Sequence, residues 1–260
     1  MTRALLAELE NRAEGTGMNL LGLADGALFD LCQPRGRRAR ELLPSCETVL
    51  VLGTGGREFW QSAKAQGQVP TGKCRFREPL RERTLRFARG VSNWLGDRGH
   101  RGLVVDPEAC RTLNFAQLGE AAGLGTISPI TGLLLHPKFG PWVSMRAAIL
   151  LPGFPFGCDF RGEVTSAFQP CMRCSKPCVS ACPIGVYDGE GGMALDRCAS
   201  HLHHGGCETH CAVRRACPVG SEESYEPAEE AYRHGLGVRL LRRAFGLGWW
   251  RWIPSCWRKS

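Results

Sequence analysis

An α/β fold followed by a cysteine-rich domain is what this sequence predicts, and three observations carry the prediction. Short apolar, β-branched runs alternate with amphipathic stretches through the first 160 residues, the pattern of helices layered on a sheet. A proline- and glycine-punctuated stretch, Pro152 to Pro170, then breaks the alternation, as domain boundaries do. Beyond it eight cysteines fall within 47 residues, Cys171 to Cys217, and two of them are followed directly by proline. With 260 residues and 43% hydrophobic content the chain can bury a sizeable core. The expected division is a core over 1–160, a cysteine domain over 161–225 and a basic, tryptophan-rich tail over 226–260.

The elements follow in order. Met1 to Glu14 mixes acidic and basic residues among leucines and alanines, which predicts an amphipathic helix and not a secretory leader. Met18–Ala24 reads as a buried strand. Thr48–Leu52 is the clearest core strand, apolar on both faces and ended by Gly53-Thr54-Gly55-Gly56. That glycine run does not complete a dinucleotide fingerprint, because its third glycine would fall on Glu58; it reads as a strand-to-helix turn. Arg57–Ala65 and Pro79–Leu95 predict helices, with Gly102–Val105 a short strand ending at Asp106-Pro107. Asn114–Ala122 is a helix stopped by Gly123. Trp142–Leu151 reads as a long buried strand that folds back on Leu133–Leu135 as a hairpin. From Pro227 a basic helix leads to Trp249, Trp250, Trp252 and Trp257.

The cysteines carry the chemistry. Cys171-x2-Cys174-x3-Cys178-x3-Cys182-Pro183 is followed by Cys198 and by Cys207-x3-Cys211-x5-Cys217-Pro218. Two sets of four thiolates, each with a Cys-Pro, suit a pair of [4Fe–4S] clusters. In two-cluster ferredoxins the cysteine before proline ligates the other cluster. Transferred here, that crossing assigns Cys171, Cys174, Cys178 and Cys217 to one cluster, and Cys182, Cys198, Cys207 and Cys211 to the second. The spacings are looser than the usual run. Structural zinc is the alternative, since His201, His203, His204 and His210 lie among the thiols. Cys32, Cys46, Cys74, Cys110, Cys158 and Cys256 are scattered and read as small hydrophobes.

Cysteines in this pattern, without a leader or an apolar run of bilayer length, point to a reducing cytoplasm and to metal binding in place of disulfides. The net charge of +8 suits an anionic partner, or solubility alone. Arg35, Arg37, Arg38 and Arg40 form a basic run that could grip phosphate or simply face solvent.

Upstream segments resemble the epoxyqueuosine reductase and reductive dehalogenase group of cobalamin-dependent iron–sulfur enzymes. Leu42 to Gly53 is similar to that family's LLPGA-x-SVIVVG strand. Val105-Asp106 is similar to the Val-Asp before its next helix. Ala122-Gly123-Leu124-Gly125, then Leu133–Leu135, Pro137 and Phe139-Gly140-Pro141-Trp142, are similar to its AGLGWIGKNTLLL-x-PE-aromatic-GSW segment. The resemblance implies a nitroreductase-like, mixed-sheet core that holds a base-off cobalamin and a ferredoxin-like domain with the two clusters. Electrons would pass through the clusters, from a donor such as ferredoxin or flavodoxin, to reduce the cobalt to a nucleophile. Gly123, Leu124, Gly125, Thr126 and Ile127 are the implied cofactor-binding segment; the two glycines equally suit a helix end and a turn. Asp106 matches the aspartate that protonates the leaving oxygen, a role commonly worth about 10²–10⁴ in rate. Its other reading is a turn residue before Pro107.

The match is incomplete. Ile127-Ser128-Pro129 stands where the family has Ile-Gly-Lys. The helical repeats that epoxyqueuosine reductases use to hold tRNA are not in this sequence, so a small-molecule or corrinoid substrate stands beside tRNA as an expectation. A ferredoxin-like carrier without corrinoid, binding flavin or a protein partner, and a zinc-binding interaction module are the competing readings.

Overall fold

Strand Cys46–Gly55 contains the most apolar stretch of the chain, and the sheet is built outward from it. In the computed structural model, which describes residues 2–69, 79–108, 110, 112–158 and 168–248, the chain divides into two units. One comprises Met1–Ile127, Leu134–His136 and Trp142–Gln169; the other comprises Ser128–Leu133, Pro137–Pro141 and Pro170–Ser260. Trp249, Trp250, Trp252, Trp257, Cys74 and Cys256 lie outside the described residues.

The first unit runs α1 (Thr2–Ala13), β1 (Leu20–Asp25), α2 (Gly26–Leu31), α3 (Ala39–Leu42), β2 (Cys46–Gly55), α4 (Glu58–Ala65), α5 (Pro79–Gly96), β3 (Leu103–Val105), α6 (Phe115–Ala121), β4 (Thr126–Ile127), β5 (Leu134–Leu135) and β6 (Val143–Pro152). The main sheet has the order β1-β2-β6-β3, with helices packed against β2 and β6. Val49 to Leu52 on β2 and Ala147 to Leu151 on β6 are completely buried, so both strands are covered on both faces. Each fully buried aliphatic side chain there contributes about 1.5–3 kcal/mol.

The α/β class holds. Where a mixed sheet was expected, all three pairings of this sheet are antiparallel. The long buried strand is also present, but its partners differ from those the hairpin reading gave. Residues of β6 pair with β2 and β3, from Thr48↔Leu151 to Gly55↔Val143 and from Leu103↔Leu150 to Val105↔Ala148. Leu134–Leu135 pairs with Thr126–Ile127 instead. The reason is burial: β6 is apolar on both faces and needs a neighbour on each edge, which a two-residue strand cannot provide. β2 also runs on through Gly53–Gly55, where the sequence suggested it would end. Gly53 is accommodated at a register shift after Leu52, and a Cβ there would meet Met145 Cε at 2.7 Å.

Helix starts follow their caps. The Asp25 carboxylate accepts from the N–H groups of Ala27 and Leu28 at 2.8 and 3.0 Å. Asn114 does the same for α6 through Ala116 and Gln117 at 3.1 and 3.2 Å. Such caps are each worth about 1 kcal/mol. In the basic run, Arg40 pairs with Glu47 at 2.9 Å and Arg38 donates to the Gln33 carbonyl.

The second unit holds all eight clustered cysteines, on and between short helical elements, and has the helices α7 (Pro177–Ser180), α8 (Leu195–His203), α9 (Ala212–Arg215) and the long α10 (Pro227–Ala244). α10 packs on α8, and its first turns carry buried charge. Glu229, fully buried, accepts from Arg233 at 2.7 Å, and Glu230, 4% exposed, accepts from Arg215 of α9 at 2.6 and 2.9 Å. Among the described residues no helix is long and apolar enough to cross a membrane.

Candidate metal centre

Four short elements deliver the thiols. Cys171 sits in the 3₁₀ turn Pro170–Arg173 and Cys178 in α7, Cys198 lies in α8, and Cys211 is the N-cap of α9. Cys182 follows α7 and Cys217 follows α9. All eight are half-buried and none is in a disulfide.

The electrostatics sort them into two quartets. Burial pushes the Cys178 thiol up, and the neighbouring Cys171 and Cys174 push it further. Burial raises Cys217 as well, and it feels Cys171, Cys178 and Cys174. Cys198 is pushed up to about 11 by burial and by Cys211, Cys182 and Cys207. Cys207 is raised by burial, Cys211 and Cys182. In each quartet, several negative charges would be crowded into a partly desolvated space, which is unfavourable until a cationic centre neutralises them. α7 lies between a ligand of the first quartet and one of the second, and so does α9. The two helices pack together.

Backbone geometry is adapted to the thiols. Lys176 adopts φ 57°, a left-handed conformation uncommon for lysine. The longer Cys174–Cys178 spacing accommodates this turn, which aims the Lys176 N–H at Cys174 Sγ, 3.3 Å away. Cys207 is also left-handed, at φ 47°, and its carbonyl lies 2.5 Å from His234 Nε2 on α10. Val186 N–H donates to Cys182 Sγ at 3.4 Å. Ser128, only 3% exposed, has its hydroxyl 3.4 Å from Cys171 Sγ. Tyr187 stands near both quartets. Burial, then Cys211, Cys198, Cys182 and Cys178, push its phenol up to about 12.

Of the histidines of the zinc alternative, His204 Nδ1 lies against Ser200 O and His210 Nδ1 against Thr209 Oγ1. Among the described residues no three His, Cys, Asp or Glu side chains close on one point to hold a single ion.

In the first unit, Asp106 follows β3 and is 4% exposed. Arg81 grips it with two bonds, Nε to Oδ1 and Nη2 to Oδ2, both 2.9 Å. Oδ1 also accepts the Glu108 N–H at 3.0 Å, and the Asp106 carbonyl accepts Cys110 N–H at 2.8 Å, so the turn role is present. The segment Gly123–Ile127 is tied to its own unit. Gly123 and Leu124 N–H groups donate to Glu120 and Gly119 carbonyls. The Glu120 carboxylate accepts from Ile127 N–H and the Thr126 hydroxyl at 2.7 and 3.1 Å. Gly123 closes α6 at φ 72°. Gly125, at φ 143°, faces the Leu135 carbonyl where a Cβ would collide. Both glycines are thus explained by helix end and strand approach.

Ser128, Lys176, Tyr187 and His234 were not singled out as ligand neighbours by the sequence. Only Ser128 carried a trace, as the residue beside the missing lysine.

No family model matches the chain. The epoxyqueuosine reductase of Listeria monocytogenes serovar 1/2a is 30% identical over 155 residues, which cover 51% of this chain and 38% of that protein. A crystal structure of epoxyqueuosine reductase with an epoxyqueuosine-modified tRNA-Tyr stem loop superposes with a TM-score of 0.59 at 15% identity, covering 89% of this chain and 69% of that one. A catabolic reductive dehalogenase matches with a TM-score of 0.52 at 13% identity, over 88% of this chain and 33% of its own. The two structures establish the fold; the Listeria protein adds sequence likeness, over well under half of its length. The chain is thus similar in sequence to an epoxyqueuosine reductase over half its own length, and it shares the fold of these two structures over most of it.

Proposed function

We propose that this protein is an iron–sulfur oxidoreductase of the cobalamin-dependent reductase type. The observation that supports it most is that Cys178 and Cys217, raised first by burial, both feel Cys171 and Cys174, whereas Cys198 and Cys207, raised the same way, both feel Cys211 and Cys182. Cys171, Cys174, Cys178 and Cys217 would hold one [4Fe–4S] cluster and Cys182, Cys198, Cys207 and Cys211 the other. A cubane takes four thiolates, the number in each quartet. When bound, the clusters supply one-electron carriers and a corrinoid supplies a nucleophilic metal.

The chain's own part is to deliver electrons from the cysteine unit and a proton from the core. Asp106 is the proton donor to a leaving oxygen of the substrate. Its ion pair with Arg81 requires the carboxylate to be ionised, so Arg81 must let go before Asp106 can carry a proton. The substrate class brought by the resemblance is an epoxide, on tRNA or on a smaller molecule.

One observation favours a second reading, an electron carrier without corrinoid. In the segment Gly123–Ile127, three backbone N–H groups are already bonded within the chain, which leaves it shape but few donors with which to grip a cofactor. Gel filtration of anaerobic protein with cobalamin separates the two: co-eluting cobalt supports the reductase, and its absence leaves the carrier.

The quartets are tested by single variants. Cys178→Ala and Cys198→Ala should each lose about four irons per chain while keeping the other cluster's signal. A variant that loses all iron, or none, would contradict the partition.

A further inference from the structure

Ser128 occupies a position in which its hydroxyl has one direction left to use. Its oxygen accepts two backbone N–H groups, from Ile130 at 3.3 Å and Thr131 at 3.1 Å. Its own N–H donates to the Leu133 carbonyl at 2.8 Å, and its carbonyl accepts Gly132 N–H at 2.9 Å. The residue is 3% exposed, so water does not compete. A serine oxygen has two lone pairs and one proton. With both lone pairs engaged, the proton is what remains to face Cys171 Sγ, 3.4 Å away. A thiolate that ligates metal has no proton to give, so there the bond runs from hydroxyl to sulfur.

We infer that Ser128 is a positioning residue that raises the reduction potential of the cluster held by Cys171, Cys174, Cys178 and Cys217. This inference rests on the two-cluster reading. Hydrogen bonds to the ligating sulfurs are among the protein's means of setting cluster potentials. The reduced cluster carries one more negative charge, so a donor at sulfur stabilises it more than the oxidised form. The step tuned is the transfer of one electron; no bond forms or breaks and no proton moves. Ser128 adds to donors already present on the same quartet, the Lys176 N–H at Cys174 and the Val219 N–H that lowers the Cys217 thiol. The turn that fixes Ser128 would give that cluster a donor whose direction does not fluctuate.

The test is an EPR-monitored redox titration of anaerobic, full-length wild type, S128A and S128T, with iron and sulfide counted in each. S128A should shift the one-electron equilibrium of one cluster toward the oxidised form by three- to tenfold, tenfold being 59 mV. The second cluster should not move, and S128T, which keeps the hydroxyl, should lie closer to wild type. Equal midpoints in wild type and S128A would overturn the inference. Loss of a cluster from S128A would also overturn it, by assigning Ser128 to assembly in place of tuning. Wild type without iron and sulfide is a different failure, that of the two-cluster reading itself.

Discussion

Asp106 and Cys46 show what single side chains are asked to do in the core. The Arg81 fork holds Asp106 in an ion pair that is only 6% exposed on the carboxylate side. If Asp106 is the acid, Asp106→Asn should lower turnover of an epoxyqueuosine-containing stem loop by about 10²–10⁴, with the iron content unchanged. Undiminished turnover would leave Asp106 only its turn. Cys46 is fully buried, and burial pushes its thiol from 9.0 up to about 11. A raised acid favours the folded state while it stays protonated. That stabilisation is complete below pH 9 and is lost as pH rises through 11. The stability gap between wild type and Cys46→Ala, measured by urea unfolding, should narrow by up to about 2–3 kcal/mol across that window. A gap independent of pH would show that the thiol does not ionise there. Neither environment is written in the residue itself: Asp106 was legible as a candidate from Val105-Asp106-Pro107, whereas Arg81, 25 residues earlier, carried no signal.

At the scale of elements, the segment 137–141 belongs to the cysteine unit because of two glycines. Gly140 (φ 53°) and Gly220 (φ 63°) lie against one another's backbone, and a Cβ on Gly140 would run into the Val219 carbonyl. Val219 is two residues beyond Cys217 and one beyond its proline. Gly140→Ala should therefore disturb the loop of a ligand, with a strain of about 1–3 kcal/mol. The expected outcome is a lower melting temperature together with loss of iron from the Cys217 quartet first. A variant as stable as wild type and with its full iron would show that the loop has room. Most helices and strands longer than about six residues were readable because periodicity and caps such as Asn114 mark them locally; α8, set among the cysteines, was not. The pairing of β6 was not. Strand partners are decided by which edges are left open after collapse, and the run Trp142–Leu151 looks the same whichever neighbour it takes.

For the whole molecule, the alternation of helices and strands made the class legible, and the order of the cysteines suggested the two quartets proposed above. Ligand spacing survives in sequence because short helices such as α7 and α9 set the distance between successive thiols. The surroundings of the quartets did not survive there, since Ser128 and Tyr187 stand near the thiols of Cys171 and Cys182, 43 and 5 residues away, and His234 meets the Cys207 carbonyl from 27 residues away. Those contacts exist only after folding. The central claim is that the eight cysteines hold iron and inorganic sulfide as two cubanes. Iron, acid-labile sulfide and zinc, counted in protein made and kept without oxygen, test it most directly: about eight irons and eight sulfides per chain are expected, and zinc without sulfide would contradict it.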